Sequence, residues 1–438
     1  MAGITEETVI HEAPCWSIHK IEGHPGEFLN EAITWDAEPF FLTLLAGERM
    51  ESGFQSELQS CLDELAFHHA GLCLSGDTAI RPGDDRHAAS RGPVVWRKAA
   101  VLDAGGFAAR DWLPFGGYVL YEMMHRLSAD WSWREFPAAR LRSQPISYSP
   151  SWRKEKDQWL RIAPLLKRDN SPVSPVEQDP IFSIVICTYN SADFLPWSIR
   201  SVFEQSFSSW ELIIVDDGSG DATAEKLEQF LENPRVRLLR SEHNQGKSCC
   251  LNQAAAAARG SWLLELDADD WLAFDCLQSL AASIADADGI SVLYANHDEW
   301  LMRSNQELLF RRTVSSMSEL DEKRLLDEAV PIAPRLYRLT ALREIGGWWE
   351  EGIFDGRLYE DFQMLSRMSR SFSARHVPDV LYHRRLRHSS ITRSNQDNYA
   401  QWRHWFRSAM EECGQNRYLE SAHEPAPTPG SRCSEPPE

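Results

Sequence analysis

Phe-Ser-Ile-Val-Ile-Cys at residues 182–187 runs directly into the polar turn Thr-Tyr-Asn at 188–190. An apolar run that stops at such a turn predicts a strand buried on both faces of a parallel sheet. A helical pattern follows over 193–205, and a second apolar strand over 212–215 ends in Asp-Asp-Gly-Ser at 216–219. The order of strand, helix and strand predicts a βαβ unit, and such sheets bind ligands at the carboxyl ends of their strands.

The same alternation continues up to a pair of acidic residues. A third strand is predicted over 235–240 and a fourth over 262–266, with a helix over 247–258 between them. This helix begins after Gly246, so its positive N-terminus could face a phosphate group. The fourth strand runs into Asp267-Ala268-Asp269. Two carboxylates at such a sheet edge suit a hard divalent cation.

A second acidic pair, Glu360-Asp361, lies later in the chain and can supply a base. Taken alone, either acidic motif has an ordinary interpretation, because acidic residues are common in solvated loops and are favoured in the first turn of a helix. The polar turns that precede them at successive strand ends favour a common site instead.

Five segments, taken together and in this order, point to one known family. They are Cys187-Thr188-Tyr189-Asn190, Val215-Asp216-Asp217-Gly218-Ser219, Asn244-Gln245-Gly246-Lys247 with Leu251-Asn252, Asp267-Ala268-Asp269, and Glu360-Asp361. The chain thereby resembles the family 2, inverting, nucleotide-sugar glycosyltransferases of GT-A fold over about residues 180–395. Five motifs in register are far more specific than any one of them. The resemblance implies an α/β catalytic domain with a Rossmann-like, mostly parallel sheet.

The resemblance also implies a role for each residue of these motifs. The donor-binding residues would be Thr188, Tyr189, Asn190, Asp217, Gly246, Lys247 and Asp267. Asp269 and His388 would hold Mn²⁺ or Mg²⁺, Asp361 would be the catalytic base, and Glu360 would orient it. Two of these assignments compete with simpler interpretations, since Lys247 could be a solvated lysine and His388 a structural histidine.

The chemistry of sugar transfer explains why such residue types are needed. A divalent cation on the diphosphate stabilises the negative charge that grows on the leaving oxygen. A carboxylate on the opposite face can take the proton of the attacking hydroxyl, and displacement from that face inverts the anomeric configuration. We therefore predict a metal-dependent inverting transferase in polysaccharide or glycoconjugate synthesis. Its partners would be a nucleotide-sugar donor, with a UDP-sugar favoured, and a glycan or lipid-linked acceptor.

The first part of the chain resembles the second. Residues 93–128 can be laid on 334–369 at a constant offset of 241, and residues 20–50 on 242–272 at an offset of 222. An internal duplication is the simplest explanation, and similarity by chance is the alternative. In this register Leu45 and Gly47 replace the two aspartates of the first acidic motif, and Val119-Leu120 replace Glu360-Asp361. The first copy is therefore predicted to be partial, degenerate and non-catalytic.

The difference between the two offsets places 19 additional residues of the second copy within 273–333. We expect acceptor specificity in this interval. It contains Asn-His-Asp-Glu-Trp at 296–300 and a charged helical stretch over 318–328. Either segment could line an acceptor groove or form a solvated face.

Composition and length set the domain organisation. The 438 residues can hold two compact domains. The predicted divisions are a degenerate GT-A-like half-domain over 1–150, a linker over 151–180, the catalytic domain over 181–415 and a disordered, proline-rich tail over 416–438.

Charge and cysteine content narrow the partners and the compartment. The net charge of −20 argues against nucleic acid or an anionic membrane as a polyelectrolyte partner. A local basic cluster, Arg384, Arg385 and Arg387, could attract a diphosphate or form surface salt bridges. Nine scattered cysteines favour a reducing compartment. Because the sequence has no apolar run that could span a bilayer, we expect a cytoplasmic enzyme, with room for peripheral contact at the inner face of the membrane.

Two other functions are compatible with the sequence. A nucleotide- or glycan-binding scaffold without turnover would explain a degenerate first copy, although the intact acidic motifs of the second copy count against it. A nucleotidyltransferase on a similar sheet is a weaker alternative, because a fold alone never fixes chemistry.

Overall fold

A computed structural model describes most of the second half of the chain and separate parts of the first half. The described residues are 25–35, 38–43, 48–50, 54–75, 94–109, 113, 118–127, 130–137, 141–143, 161–166, 179–285, 289–302, 308–387 and 398–421. Several predicted features lie outside these ranges: His388, Leu45, Gly47, the proline-rich part of the predicted linker, and residues 422–438 of the tail that was predicted over 416–438. Residues 416–421 of that predicted tail are helical.

The first half contains a four-stranded sheet with the order β1-β4-β3-β5 and a separate strand pair, β2 with β6. Its elements are α1 (Pro25–Trp35), β1 (Phe40–Thr43), β2 (Glu48–Met50), α2 (Phe54–Asp63), β3 (His69–Ser75), β4 (Val94–Arg97), α3 (Lys98–Asp103), α4 (Val119–Leu127), β5 (Ser132–Pro137) and β6 (Leu141–Ser143). A short 3-10 helix, Ala163–Leu166, lies between the two halves of the chain.

The second half contains a nine-stranded sheet with the order β11-β15-β12-β14-β10-β7-β8-β9, in which β13 also pairs with β12. The first group of elements is β7 (Phe182–Thr188), α5 (Leu195–Phe203), β8 (Trp210–Asp216), α6 (Thr223–Glu228), β9 (Val236–Arg240), α7 (Lys247–Ala257), β10 (Trp262–Glu265), β11 (Trp271–Leu272) and α8 (Cys276–Ala285). The second group is β12 (Ile290–Met302), β13 (Leu308–Val314), α9 (Glu322–Glu328), β14 (Arg335–Arg338), α10 (Leu339–Glu344), α11 (Glu360–Ser371), β15 (Ser373–Leu386) and α12 (Asn398–Ser421).

Strand directions confirm an α/β fold but show a mixed sheet. The neighbours β10, β7, β8 and β9 are parallel to one another, as the sequence predicts. The strand β14, however, is antiparallel to both β10 and β12, so the expectation of a mostly parallel sheet is wrong for this half of the sheet. The apolar pattern of a strand shows that it is buried but carries no information about its direction.

Helices cover both faces of the large sheet. Residues of α7, α10, α11 and α12 share one buried cluster with alternate residues of the central strands. Residues of α5 and α8 pack in a second cluster on the opposite face. Because both faces are covered, β8 is buried along its whole length, which explains the continuous apolar runs in the sequence.

The two sheets have matching elements at the offsets found in the sequence. The elements α1, β1 and α2 correspond to α7, β10 and α8 at an offset of 222, and β4 and α3 correspond to β14 and α10 at an offset of 241. Strand pairing matches as well, because Phe40 faces Arg97 across β1 and β4 as Trp262 faces Arg338 across β10 and β14. The order β1-β4-β3-β5 thus has the same form as β10-β14-β12-β15.

The two sheets also use the same side chains at one turn. Asn30 donates to the carbonyl of Phe107 over 2.8 Å and accepts from its N–H over 2.7 Å. Asn252 makes the same pair of hydrogen bonds with Trp348, both of 2.8 Å.

An arginine fastens the same turn in each half. Arg126 donates to the carbonyls of Ala104 and Gly106, and Arg367 donates to those of Ile345 and Gly347. Both turns contain two successive glycines with positive φ angles, at 105–106 and 346–347. Such φ angles favour glycine at these positions.

The second half carries elements that have no counterpart among the described residues of the first half. The strands β7, β8 and β9 extend the large sheet beyond β10, whereas β1 is the edge strand of the described four-stranded sheet. The strands β12 and β15 also extend beyond the parts that match β3 and β5 as described, and β13 and α9 follow β12. The end of β12 and these two elements lie within residues 273–333, where the two offsets differ.

The two halves share a buried apolar cluster. It joins residues of α1, β4 and α4 to Trp197, Trp271 and Trp300 of the second half. Arg161 forms an ion pair with buried Asp298 at the same boundary.

Membrane and disulfide features can be judged for the part of the chain that is described. No helix there is both long and apolar enough to cross a bilayer. The cysteines at 61, 187, 249, 250 and 276 are all free thiols.

Candidate active site

The ends of β7 and β8 bring the first two polar turns together. The backbone N–H of Asp217 donates to the carbonyl of Thr188 over 2.9 Å. The buried carboxylate of Asp217 accepts hydrogen bonds from the backbone N–H groups of Gln245 and Gly246, at 2.7 and 2.9 Å. Asp217 therefore anchors the loop that precedes α7, and the remaining lone pairs of its carboxylate are available to a ligand.

The tip of the first turn is more open. The side chain of Tyr189 is 50% exposed, which leaves its ring accessible for stacking on a base. Asn190 has a positive φ of 51° and accepts from the N–H of Gly220 over 2.8 Å. The hydroxyl of Thr188 is buried without a hydrogen-bond partner among the described residues. These three predicted donor-binding residues thus lie together at one edge of the sheet.

Gly246 lies where the chain turns into α7. Its φ of 99° disfavours any residue with a side chain, and an added Cβ would lie 2.9 Å from Cγ of Arg357. Gly246 is therefore required by the backbone at this position.

Lys247 connects the two acidic motifs. Its ammonium lies 2.6 Å from Oδ1 of Asp267 and 2.8 Å from Oε1 of Glu360. Burial opposes protonation, but the two carboxylates hold the pKa of Lys247 well above its ordinary value. The pKa of Asp267 is shifted in the opposite direction. Burial raises this pKa, but the charges of Lys247 and Arg335 lower it by more, so the net shift is downward. Lys247 is thus paired with both acidic motifs while 29% of its side chain remains exposed.

Asp361 lies beside Lys247 at the start of α11 and faces a buried arginine. Nη1 of Arg335 is 3.6 Å from Oδ2 of Asp361, and its Nη2 is 3.1 Å from Oε2 of Glu265. Arg335 is 5% exposed and Glu265 is 2% exposed, so this buried ion pair is a rigid support beside Asp361. The carboxylate of Asp361 remains partly accessible, with 21% of its side chain exposed.

The backbone in front of the second acidic motif is strained. Tyr359 adopts a left-handed conformation with a φ of 64°, immediately before α11. A bulky residue rarely has this conformation, which costs of order 1–3 kcal/mol when it is imposed by the surroundings. The ring of Tyr359 is held against Tyr399 and Trp402 of α12. The strain sets the direction in which Glu360 and Asp361 leave the turn.

The second aspartate of the first motif lies on the other side of Asp267. Oδ2 of Asp269 is 2.6 Å from Nη2 of Arg387, and the backbone carbonyl of Asp269 accepts from Nε of Arg385 over 2.8 Å. Next to it, buried Asp270 accepts from the hydroxyl of Tyr382 and from the backbone N–H of Arg385, at 2.9 and 2.7 Å. Burial and the neighbouring carboxylates raise the pKa of Asp270 well above its ordinary value. Through these contacts Arg385 and Arg387 hold the acidic loop and offset part of its negative charge.

The donor atoms around Asp269 fit a cation that is shared with phosphate oxygens. No group of three or more His, Cys, Asp or Glu side chains that could hold a metal occurs in the described part of the chain. Mg²⁺ commonly needs only one or two carboxylates together with substrate phosphates. Asp269 is 22% exposed and supplies a hard carboxylate oxygen, although Arg387 must move aside. The second predicted ligand, His388, lies outside the described residues.

Sequence reasoning missed three buried groups of this site. Glu265 and Arg335 lie inside strands, where a charged residue gives no motif by itself, and only their pairing across β10 and β14 reveals them. Asp270 stands within the first motif but has a structural role in holding β15. A signal was present in the sequence, because Thr43 and Val94 stand at the positions that align with Glu265 and Arg335 at the two offsets.

Comparison with known proteins agrees with this geometry. The model of the family described as Glycosyl transferase family 2 matches residues 183–344. The match includes the polar turns, α7 and the first acidic motif, and it ends before Glu360-Asp361.

Several curated relatives are glycosyltransferases by name. Succinoglycan biosynthesis protein ExoO of Rhizobium meliloti is 36% identical over 123 residues, which are 28% of this chain and 35% of the relative. The UDP-Glc:alpha-D-GlcNAc-diphosphoundecaprenol beta-1,3-glucosyltransferase WfgD of Escherichia coli is 32% identical over 27% of this chain and 47% of its own length. A PGL/p-HBAD biosynthesis glycosyltransferase of Mycobacterium bovis is 32% identical over 37% of this chain and 66% of its length. The first two matches span only about a third to a half of the relatives.

Solved structures with a similar arrangement are more distant. TarS 1–349 of S. aureus has a TM-score of 0.39 and 23% identity, covering 46% of this chain and 59% of that one. The mannosyltransferase PcManGT of Pyrobaculum calidifontis, solved with GDP-Man and Mn²⁺, has a TM-score of 0.39 and 18% identity, covering 58% and 71%. These likenesses are too weak to carry an argument. The family model thus identifies a family 2 glycosyltransferase domain over residues 183–344, and the named relatives are glycosyltransferases as well.

Proposed function

We propose that the chain is a metal-dependent, inverting glycosyltransferase with a GT-A type catalytic domain. It would move a sugar from a nucleotide-diphosphate donor to an acceptor hydroxyl in polysaccharide or glycoconjugate synthesis. The observation that carries the proposal is the position of Lys247, which contacts Asp267 of the first acidic motif and Glu360 of the second. Two motifs from distant parts of the sequence thereby share one site, as transfer between a donor and an acceptor requires.

Asp361 is the proposed base. It is partly exposed and sits above the Arg335–Glu265 pair, so its carboxylate is held in place while one side remains open to an incoming hydroxyl. Arg335 lies 3.6 Å from this carboxylate, and a carboxylate held in this way can take the proton of an acceptor hydroxyl during the reaction. Glu360 fixes the start of α11 through Lys247.

Donor binding is proposed at the ends of β7, β8 and β10. Tyr189 and Asp217 would contact the base and Asp267 the ribose, with Gly246 allowing the backbone to approach the ligand. Asp269 would hold Mn²⁺ or Mg²⁺ on the diphosphate, and the bound ion would supply Lewis-acid stabilisation of the leaving group.

The identity of the substrates rests on relatives. WfgD is named for a UDP-Glc donor and a diphosphoundecaprenol-linked acceptor. We propose a UDP-sugar donor and a glycan or lipid-linked acceptor, with catalysis in the cytoplasm and peripheral contact with the inner face of the membrane.

A donor panel tests the proposed activity. The intact chain is heated with UDP-glucose, UDP-N-acetylglucosamine or GDP-mannose, each with Mn²⁺, Mg²⁺ or EDTA. One donor should raise the unfolding temperature only with metal, since saturation at 100 times Kd adds about 2.7 kcal/mol to the unfolding free energy. Release of nucleoside diphosphate should accompany binding. Binding without release would favour the scaffold function, and the absence of binding to every donor with either metal would contradict both.

We further propose that residues 1–150 contain a truncated copy of the catalytic domain, joined by a linker over 151–180 to a domain over 181–415. Matching element boundaries and strand registers support the proposal, as do the equivalent pairs Asn30/Asn252 and Arg126/Arg367. The positions that differ are those of the site. Pro25, Thr43, Val94, Val119 and Leu120 stand where the second copy has Lys247, Glu265, Arg335, Glu360 and Asp361. The first copy would therefore keep the scaffold and lack the chemistry.

Asn30→Ala and Asn252→Ala should destabilise the protein by similar amounts. Each asparagine satisfies a backbone N–H and a backbone carbonyl at the equivalent turn. The loss of one such residue should lower the free energy of unfolding by about 1–3 kcal/mol. Chemical denaturation of each variant gives the comparison, and Gln59→Ala, which removes an exposed contact with Asp63, is the control. A large loss in one asparagine variant and none in the other would argue against equivalent turns.

A further inference from the structure

The end of β12 lies beside the candidate active site, and the described part of the first sheet has no counterpart to it. Residues 69–75 of β3 correspond in ladder position to the first part of β12, and His297 comes directly after that part. His297 is paired with Tyr382 across β12 and β15. The Tyr382 hydroxyl donates to Asp270 and accepts from the backbone N–H of Asp267. Because residues paired across a ladder share a face of the sheet, His297 faces the acidic loop.

His297 is buried and makes no hydrogen bond within the described chain. Its exposure is 0%, and both Nδ1 and Nε2 are buried without a partner among those residues. Burial of a polar group without a hydrogen bond is costly, so buried groups in this state are rare and commonly have a functional reason. The next residue of β12, Asp298, differs in this respect, since its carboxylate is bound by Thr313 and Arg161.

The surroundings keep the imidazole neutral. Burial, followed by the positive charge of Arg384, lowers the pKa of His297 to about 4, and Glu299 opposes the shift. Arg312 and Arg335 lower the pKa further. At neutral pH one ring nitrogen therefore carries a proton and can donate a hydrogen bond, and the other nitrogen can accept a hydrogen bond. A hydroxyl group matches this combination, because it donates one hydrogen bond and accepts others.

Arg384 is paired with Glu299 across β15 and β12, two positions along each strand from the pair Tyr382 and His297. Its guanidinium has neither a hydrogen bond nor an ion pair within the described ranges, unlike Arg385 and Arg387, which bind the loop of Asp269. Its charge lowers the pKa of both Asp267 and His297. Arg384 is therefore a second polar side chain of this face that has no partner among the described residues.

We propose that His297 is a specificity-determining residue that binds a hydroxyl of the sugar substrate. The inference rests on the proposed function and goes beyond it by giving the addition at the end of β12 a ligand. The hydroxyl belongs either to the sugar of the donor or to the acceptor. Arg335 contacts Asp361, and its charge also lowers the pKa of His297. It therefore connects this subsite to the proposed base.

Binding and turnover of His297→Leu separate the two sources. If the hydroxyl belongs to the donor, Kd for the UDP-sugar found in the panel should rise about tenfold or more, while Kd for UDP is unchanged. If it belongs to the acceptor, donor binding and donor hydrolysis by water should be unchanged, while transfer to methyl glucosides and galactosides falls by a similar factor. Unchanged donor binding, hydrolysis and transfer would overturn the proposal.

Thermal unfolding of the free protein tests, independently of turnover, whether the imidazole of His297 is an unsatisfied polar group. His297→Leu should raise the unfolding temperature by about 2–4 °C, because it removes an unsatisfied polar group at nearly constant volume. The matched control is His383→Leu on the neighbouring strand, where Nδ1 of the histidine accepts from Nε1 of Trp300 over 3.2 Å and lies 3.6 Å from Asp298. That variant should lower the unfolding temperature. A comparable decrease of the unfolding temperature in both variants would show that His297 is a structural histidine, whatever the result of the donor panel. If no donor binds in the panel, that result alone would refute only the proposed activity.

Discussion

Asp361→Asn is expected to reduce sugar transfer by about 10²–10⁴-fold, which is the usual contribution of a general base. An amide has nearly the same shape as a carboxylate but cannot take the proton of the acceptor hydroxyl. The contact with Arg335, at 3.6 Å, is weakened but the neighbouring Arg335–Glu265 pair is left intact. The variant should therefore fold and bind its UDP-sugar as the wild type does. Steady-state release of UDP with and without acceptor, together with donor titration, measures the two effects separately.

The control for this variant is Asp103→Asn, an exposed aspartate at the end of α3 in the first half. It changes the same atoms and the same net charge far from the proposed site. Full transfer activity is expected for the control. If Asp361→Asn retained wild-type turnover, Asp361 would not be the base, and the role would have to be sought at Glu360.

The sequence was sufficient for the elements that position the site. The apolar runs before 188, 216 and 267 correspond to β7, β8 and β10, whose carboxyl ends meet at one edge of the sheet. These runs are readable because strands that are covered by helices on both sides must be apolar throughout. The helix before the first acidic motif was also predicted within a residue of its observed end, since α7 covers Lys247–Ala257.

Strand direction and charge pairing could not be read in the same way. The antiparallel position of β14 between β10 and β12 depends on the path of the chain through β13 and α9, which leaves no periodic signal. The Glu265–Arg335 pair joins residues seventy positions apart, and each looks like an isolated charge in an apolar strand. Lys247 had two interpretations in the sequence, and neither included its contacts with Asp267 and Glu360.

Comparison of the two halves separates scaffold from site. Residues with matching contacts in both sheets, such as Asn30 and Asn252, hold the turn before the second acidic motif. Residues that are polar only in the second half, such as Lys247 and Arg335, converge on Asp361 and Glu360. A group that was needed only for folding would be expected in both sheets. The distribution therefore supports a functional role for the polar residues of the second half.

Asp269→Ala is expected to abolish the metal dependence of donor binding and to reduce transfer by about 10²–10³-fold, the size of effect that follows loss of one electrostatic contact to a developing negative charge. Asp267 and Asp269 are both partly exposed and each pairs with a basic side chain, whereas Asp270 is buried against Tyr382. Asp267 and its partner Lys247 are further tied to Glu360, so Asp269 is the carboxylate that we propose shares a cation with phosphate oxygens. The measurement is the rise in unfolding temperature with UDP, in Mn²⁺ and in EDTA.

The wild type should show a larger rise with UDP in Mn²⁺ than in EDTA, and Asp269→Ala should show the same small rise in both. Glu232→Ala, which removes one exposed acidic side chain elsewhere, should behave as the wild type does. Because Asp269 pairs with Arg387 at 2.6 Å, the alanine variant also frees a guanidinium beside the diphosphate. That cation could raise the affinity for UDP in EDTA without restoring turnover, since a flexible side chain does not reproduce the fixed charge of a coordinated ion. A variant that kept the full difference between Mn²⁺ and EDTA would exclude Asp269 as the metal ligand.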